Sequence, residues 1–174
     1  MRSPHIVGVA MLAIDLAACT PAFNWREFIA EGSGVVAMFP CRPDRHARPV
    51  VVAESKARME MLVCATGGST FALSFLDVAD PARVNATLGE LRAIALANVQ
   101  GVQPQVVPVQ VIRMTPNPQA VRLSAEGRLP DGNAIHVHAA FFAKGLRVFQ
   151  ATVIGAEPAP QVVETFFGGL KFPQ

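Results

Sequence analysis

Charge is scarce in this sequence: Asp, Glu, Lys and Arg make up 16% of its 174 residues and the formal net charge is only +2. So small a balance argues against nucleic acid or an anionic surface as the main partner. No unbroken run approaches the roughly 20 apolar residues that a membrane-crossing helix needs, so a permanent transmembrane anchor is not expected. The short catalytic phrases are missing as well. There is no H-E-x-x-H, no G-x-S-x-G and no G-x-x-x-x-G-K-[ST], and the glycine pairs stand alone as turns without a strand-to-helix phosphate context. What is plentiful is hydrophobic material, 51% of the chain, which is enough for the core of one ordinary domain.

The N-terminus is the most informative segment. Arg2, the free amine and His5 make a weakly positive start, Ile6 to Ile14 is continuously apolar or small, and Leu16-Ala17-Ala18-Cys19 follows. This is the layout of a signal peptide. Asp15, the one charged residue in the stretch, falls at its end, where insertion costs less than at a helix centre. Leu16-Ala17-Ala18-Cys19 resembles the bacterial lipobox, and the resemblance implies lipidation of Cys19, cleavage just before it, and a palmitate-bearing lipid anchor. Residues 1–18 are then a lipoprotein signal peptide and 19–22 a lipidated tether, leaving 23–174 as a single domain. Thr20 rather than Asp follows the Cys, which by the enterobacterial sorting rule favours the outer membrane, with the domain facing the periplasm. The alternative is a buried N-terminal helix with Cys19 as an ordinary core residue.

With Cys19 assigned to lipid, Cys41 and Cys64 remain as an even pair in an oxidising compartment, and a disulfide between them is expected. Two free buried thiols are the other reading. The pair is too small for structural zinc and is not spaced as C-x-x-C, which disfavours redox catalysis.

Beyond the tether, Val35 to Phe39 reads as a first strand closed by Pro40, and the Arg-, His- and Pro-containing stretch from Cys41 to Pro49 as a solvated loop. Strands are expected at Val50 to Ala53, Arg58 to Ala65 and Thr70 to Val78, the last two joined at Gly67-Gly68. Asp80-Pro81 is a helix start, and Val84, Leu88, Leu91 and Ala95 recur at helical spacing up to Gly101. After a Pro-containing connection near Pro104 and Pro108, Ala120 to Glu126 alternates cleanly, with Arg122, Ser124 and Glu126 outward. Asp131-Gly132 and Lys144-Gly145 turn the chain into strands at Ala134 to Ala143 and Leu146 to Ile154. A short helix from Pro158 or Pro160 ends at Gly168-Gly169. The order predicts an α+β domain, an antiparallel β-sheet flanked by a long central helix and a short C-terminal helix. Trp25 followed by Gly34 to Pro40, and the closing Val163 to Lys171, resemble the start and end of small bacterial proteins with a PsbP-like fold. That resemblance implies a binding or assembly factor and supplies no catalytic residue.

Candidate chemistry is thin. His136 and His138 sit two apart on one face of a strand and are the weak candidates for a metal, with His46 in the basic stretch as a third. The apolar Ile135, Val137, Ala139 and Phe141 alternate with them, so the histidines are expected on the solvent side. Asp77, Asp80 and Glu90 read as a helix cap and surface groups rather than an acid–base pair. Arg42, Arg45, Arg48, Lys56 and Arg58 could form a basic patch for anionic lipid head groups or an acidic partner. Aromatic residues for base stacking are missing from that cluster.

These features predict a non-catalytic, lipid-anchored envelope protein with no cofactor, bound to the membrane by its lipid and to an envelope protein partner. Competing readings are an envelope metal-binding protein or enzyme using His136 and His138, and a structural spacer.

Overall fold

The computed structural model describes residues 22–174; the expected leader, Cys19 and most of the tether lie outside them. The elements in chain order are β1 (Arg26–Ile29), β2 (Val36–Phe39), β3 (Asp44–Val52), β4 (Ser55–Thr66), β5 (Ser69–Asp77), α1 (Val84–Asn98), β6 (Val102–Pro108), β7 (Val121–Arg128), β8 (Ala134–Lys144), β9 (Arg147–Gly155) and α2 (Pro160–Gly168). Strands β3 to β9 form a seven-stranded sheet in the order β3-β4-β5-β9-β8-β7-β6, and β1 pairs with β2 in a separate hairpin. Every strand pairing is antiparallel. The fold is therefore α+β, with α1 linking two meanders that join where β5 pairs with β9.

Sequence accounts for the layering. Along β8 the first half alternates, whereas Ala139 to Ala143 is buried without a break, so this strand needs cover on both faces. On one face α1 lays Val84, Leu88, Leu91 and Ala95 against Leu123, Val137, Phe141 and Val148. On the other, α2 and the β1–β2 hairpin close over Phe71, Phe142, Phe149 and Val153. Phe166 of α2 meets both Phe39 and Phe71 with ring centroids 5.5 Å apart, and Phe142 stacks on Phe149 at 5.1 Å. Such pairs contribute about 0.5–1.5 kcal/mol each beyond the burial of their area. Lys171 N–H and O exchange hydrogen bonds with Val36 (3.1 and 2.8 Å), which fastens the C-terminus to β2. Gly169 permits this closure, because a Cβ there would come within 2.3 Å of the Met38 Cβ.

Cys41 and Cys64 are bonded, with Cα atoms 5.9 Å apart. Closing their 23-residue separation contributes about 3 kcal/mol in the chain-entropy picture. The bond joins the segment after β2 to β4 and so ties the separate hairpin to the main sheet.

Several expectations are revised. The stretch from Cys41 to Pro49 is not a loop: β3 starts at Asp44 and runs on through the expected strand at Val50. The connection around Pro104 and Pro108 is likewise strand β6. Both are the edges of the sheet. Residues 44–49 and all of β6 are exposed, so neither carries the alternation that marks a half-buried strand, and their prolines are of the kind that only edges tolerate. Val36–Phe39 is preceded by β1 and belongs to the hairpin, outside the meander. The long helix opens as a 3₁₀ turn over Pro81–Arg83, where the Asp80 carboxylate accepts the Ala82 N–H at 2.9 Å, and becomes α-helical at Val84. No helix among the described residues is long and apolar enough to cross a membrane.

Candidate functional site

Between α1 and the β3-β4-β5-β9 half of the sheet lies a cleft of about 450 Å³. It exists because α1 packs mainly on β8 and β9 and touches β3 only lightly. Met59 and Met61 of β4, Val50 and Val52 of β3, and Leu91 and Ile94 of α1 make its apolar walls. The floor breaks the pattern. Ser74 of β5 stands directly opposite Gln150 of β9, and Thr152 follows on the same face. Ser74 and Thr152 are buried, and Gln150 Nε2 donates to Thr152 Oγ1 at 3.1 Å. Burying neutral polar groups in an aliphatic layer costs stability unless they are paired. A polar strip facing a cavity is the arrangement that orients a ligand in an otherwise apolar pocket.

The wall formed by β3 is held in place by its hairpin. Ala53 and Glu54, at the turn into β4, have φ of 48° and 60°, left-handed values that glycine normally supplies. Three contacts from the helical segment hold this strained pair. Glu90 of α1 accepts the Ala53 N–H, and Arg83 donates both to the Ala53 carbonyl and to Ser55 Oγ, the latter at 3.0 Å. Asp77, by contrast, is engaged in a bidentate pair with Arg147 at 2.6 and 2.7 Å. The three acidic residues considered from the sequence therefore have three separate structural partners.

The two histidines fall on the other side of the sheet. Alternation puts His136 and His138 with Ala140 and Phe142 on the α2 face, so this face is not the open solvent surface expected from the sequence. Both are partly buried, at the margin where the cover of α2 runs out. They line a shallow groove of about 200 Å³ together with Gln105, Ser124 and Glu126. Burial, then the nearby Arg122 and His136, push the His138 imidazole below its ordinary value, against the pull of Glu164. Arg122 forks onto the Glu164 carboxylate at 2.7 and 3.0 Å and lies 4.3 Å from the centre of the Phe167 ring. That fork holds the Glu164 carboxyl below its usual range. No group of three His, Cys, Asp or Glu side chains that could hold a metal occurs among the described residues. His46 cannot complete one, because β3 stands four strand spacings from β8, roughly 19 Å at about 4.8 Å each.

The five cations are not brought to one face. Arg42 is exposed ahead of β3. Arg45, Lys56 and Arg58 alternate onto the α2 side, and Arg48 onto the α1 side, where it lines the cleft. Arg45 is engaged by Glu60 at 3.0 Å and by the Glu31 carboxylate at 3.5 Å.

The cleft was missed in the sequence because Gln150-Ala151-Thr152-Val153 reads as a strand with one wet face. Only the docking of α1 turns that face inward. No protein-family model matches the sequence, and no curated protein matches it either.

Proposed function

We propose that this chain is a bacterial lipoprotein with a PsbP-like domain, anchored through Cys19 in the cell envelope by its acyl chains, and that it works by binding rather than by catalysis.

 The domain faces the periplasm from the outer membrane in this reading and engages another envelope component as a binding or assembly factor. The observation that carries the binding role is the α1 cleft, whose floor of Ser74, Gln150 and Thr152 offers neutral hydrogen-bonding groups inside apolar walls. The anchored location rests on Leu16-Ala17-Ala18-Cys19, and the bonded Cys41–Cys64 pair suits an oxidising compartment. The order of strands and helices, and the hairpin of β1 and β2 packed beside the C-terminus, are what support the PsbP-like assignment.

The test is to isolate the protein from native envelopes after mild cross-linking and to read its N-terminal peptide and its companions by mass spectrometry. The expected result is an acylated Cys19 at the mature N-terminus, a recurrent envelope partner, and loss of the acylated form and of membrane anchoring in a Cys19→Ala variant. An unmodified N-terminus at Met1 with no recurrent companion would overturn the reading.

A further inference from the structure

We infer that the α1 cleft binds a single-chain amphiphile ending in a carboxylate, with its head at Arg48 and the Ser74–Gln150 pair and its tail directed along β9 towards Gly155. The inference rests on the binding role proposed above and adds the chemical class of the ligand.

Four observations point the same way. The cleft's volume of about 450 Å³ lies within the range of small-molecule sites. Arg48 is the one charged side chain lining it among the described residues, so an anion is favoured over a cation. Met59 and Met61 form much of one wall, and unbranched thioether side chains adapt to a flexible chain better than to a rigid ring. The cleft also has a continuation. Ile154 lines both it and a second depression of about 470 Å³, which Gly68, Thr70 and Leu129 border at the end of the sheet. From Gln150 to Gly155 the strand advances roughly 17 Å, which gives room for an extended tail. That end is also where the described chain enters the domain, since Thr66 Oγ1 donates to the Ala22 carbonyl at 2.8 Å.

The polar floor suits a carboxylate head. Gln150 has a second N–H beyond the one given to Thr152, and the Ser74 hydroxyl opens on the cleft. Both can donate to a carboxylate, and Arg48 lies on the same face, towards the β3–β4 turn from Ser74. A charge-assisted bond from that guanidinium distinguishes an acid from the corresponding alcohol.

The experiment uses the full chain in non-ionic detergent with a photoactivatable palmitate carrying a diazirine in its tail, and maps the labelled peptides by mass spectrometry. Saturable labelling of the β4 and α1 segments is expected, displaced by unlabelled palmitate. Arg48→Gln, an exposed edge-strand change that leaves the core untouched, should weaken labelling about tenfold. Gln150→Leu should do the same without lowering the unfolding midpoint. A diazirine-bearing hexadecanol should label weakly. Equal labelling by the alcohol, or indifference to Arg48→Gln, would overturn the carboxylate assignment, and labelling spread over the surface without displacement would overturn the site. Either failure leaves the cross-linked envelope partner untouched, so the two proposals fail separately.

Discussion

On the α2 side of the sheet, Phe39 and Phe71 meet Phe166 and Phe142 stacks on Phe149, and all five rings are fully buried. On the α1 side the contacts are aliphatic apart from Phe141, and the layer holds Ser74, Thr87 and Thr152 as buried polar groups beside an open cleft. One sheet thus carries a dense aromatic layer on one face and a looser, partly polar layer on the other. Dense layers stabilise and tolerate little change, whereas local departures from apolar packing are where a fold accommodates function. The difference suggests that stability resides mainly on the α2 face and binding on the α1 face.

The largest expected effect tests the dense side. Phe166→Ala removes a ring that touches three others and should cost about 3–5 kcal/mol, read from the urea midpoint at unchanged slope. Ile94→Ala at the cleft mouth, where Ile94 is 38% exposed, should cost less than about 1 kcal/mol. Equal losses would break the comparison.

A smaller effect concerns Thr87, whose buried Oγ1 has no hydrogen-bond partner among the described residues. Thr87→Val keeps the shape and removes the orphan hydroxyl, and should raise stability by about 1 kcal/mol. A loss of stability would mean that the α1 layer depends on that hydroxyl.

The smallest effect is one of pH. His138 is held below its ordinary value of 6.5, so the unfolded chain takes up this proton more readily than the folded one, and stability falls as the pH drops through 6.5. His138→Gln should flatten the thermal midpoint between neutral pH and pH about 5. Glu164 acts in the same direction at lower pH: its contribution is complete above its ordinary value of 4.5 and is lost as the pH falls through its lowered folded value. A His138→Gln profile that still declines from neutral pH would sink the assignment of that slope to the α2-face margin.

The central strands and both helices were legible because their side chains repeat with the period of the element. Val121, Leu123 and Ala125 alternate in β7, and Val84, Leu88, Leu91 and Ala95 recur in α1. The edges were not legible, since exposed Arg45, His46 and Arg48 on one and Gln103 and Gln105 on the other have no buried face to impose a period. The histidines were read as wet because alternation distinguishes two faces but does not say whether a later helix will cover one of them. α2 begins 22 residues after His138 and covers only part of that face. For the same reason Gln150 and Thr152 looked like solvent-facing residues of β9, and the cleft became visible only with α1 in place.

The two borders of the sheet have a further consequence for crowded conditions. A seven-stranded sheet with open edges offers unpaired N–H and C=O groups to any neighbouring copy, the geometry from which fibres grow. Here Pro49 interrupts the donor row of β3, Pro104 and Pro108 interrupt that of β6, and a bulge between Val102 and Gln105 breaks the register of the second edge. Copies held close together would find no continuous ladder to extend, so the same irregularities that hid these strands in the sequence guard the folded protein against polymerisation.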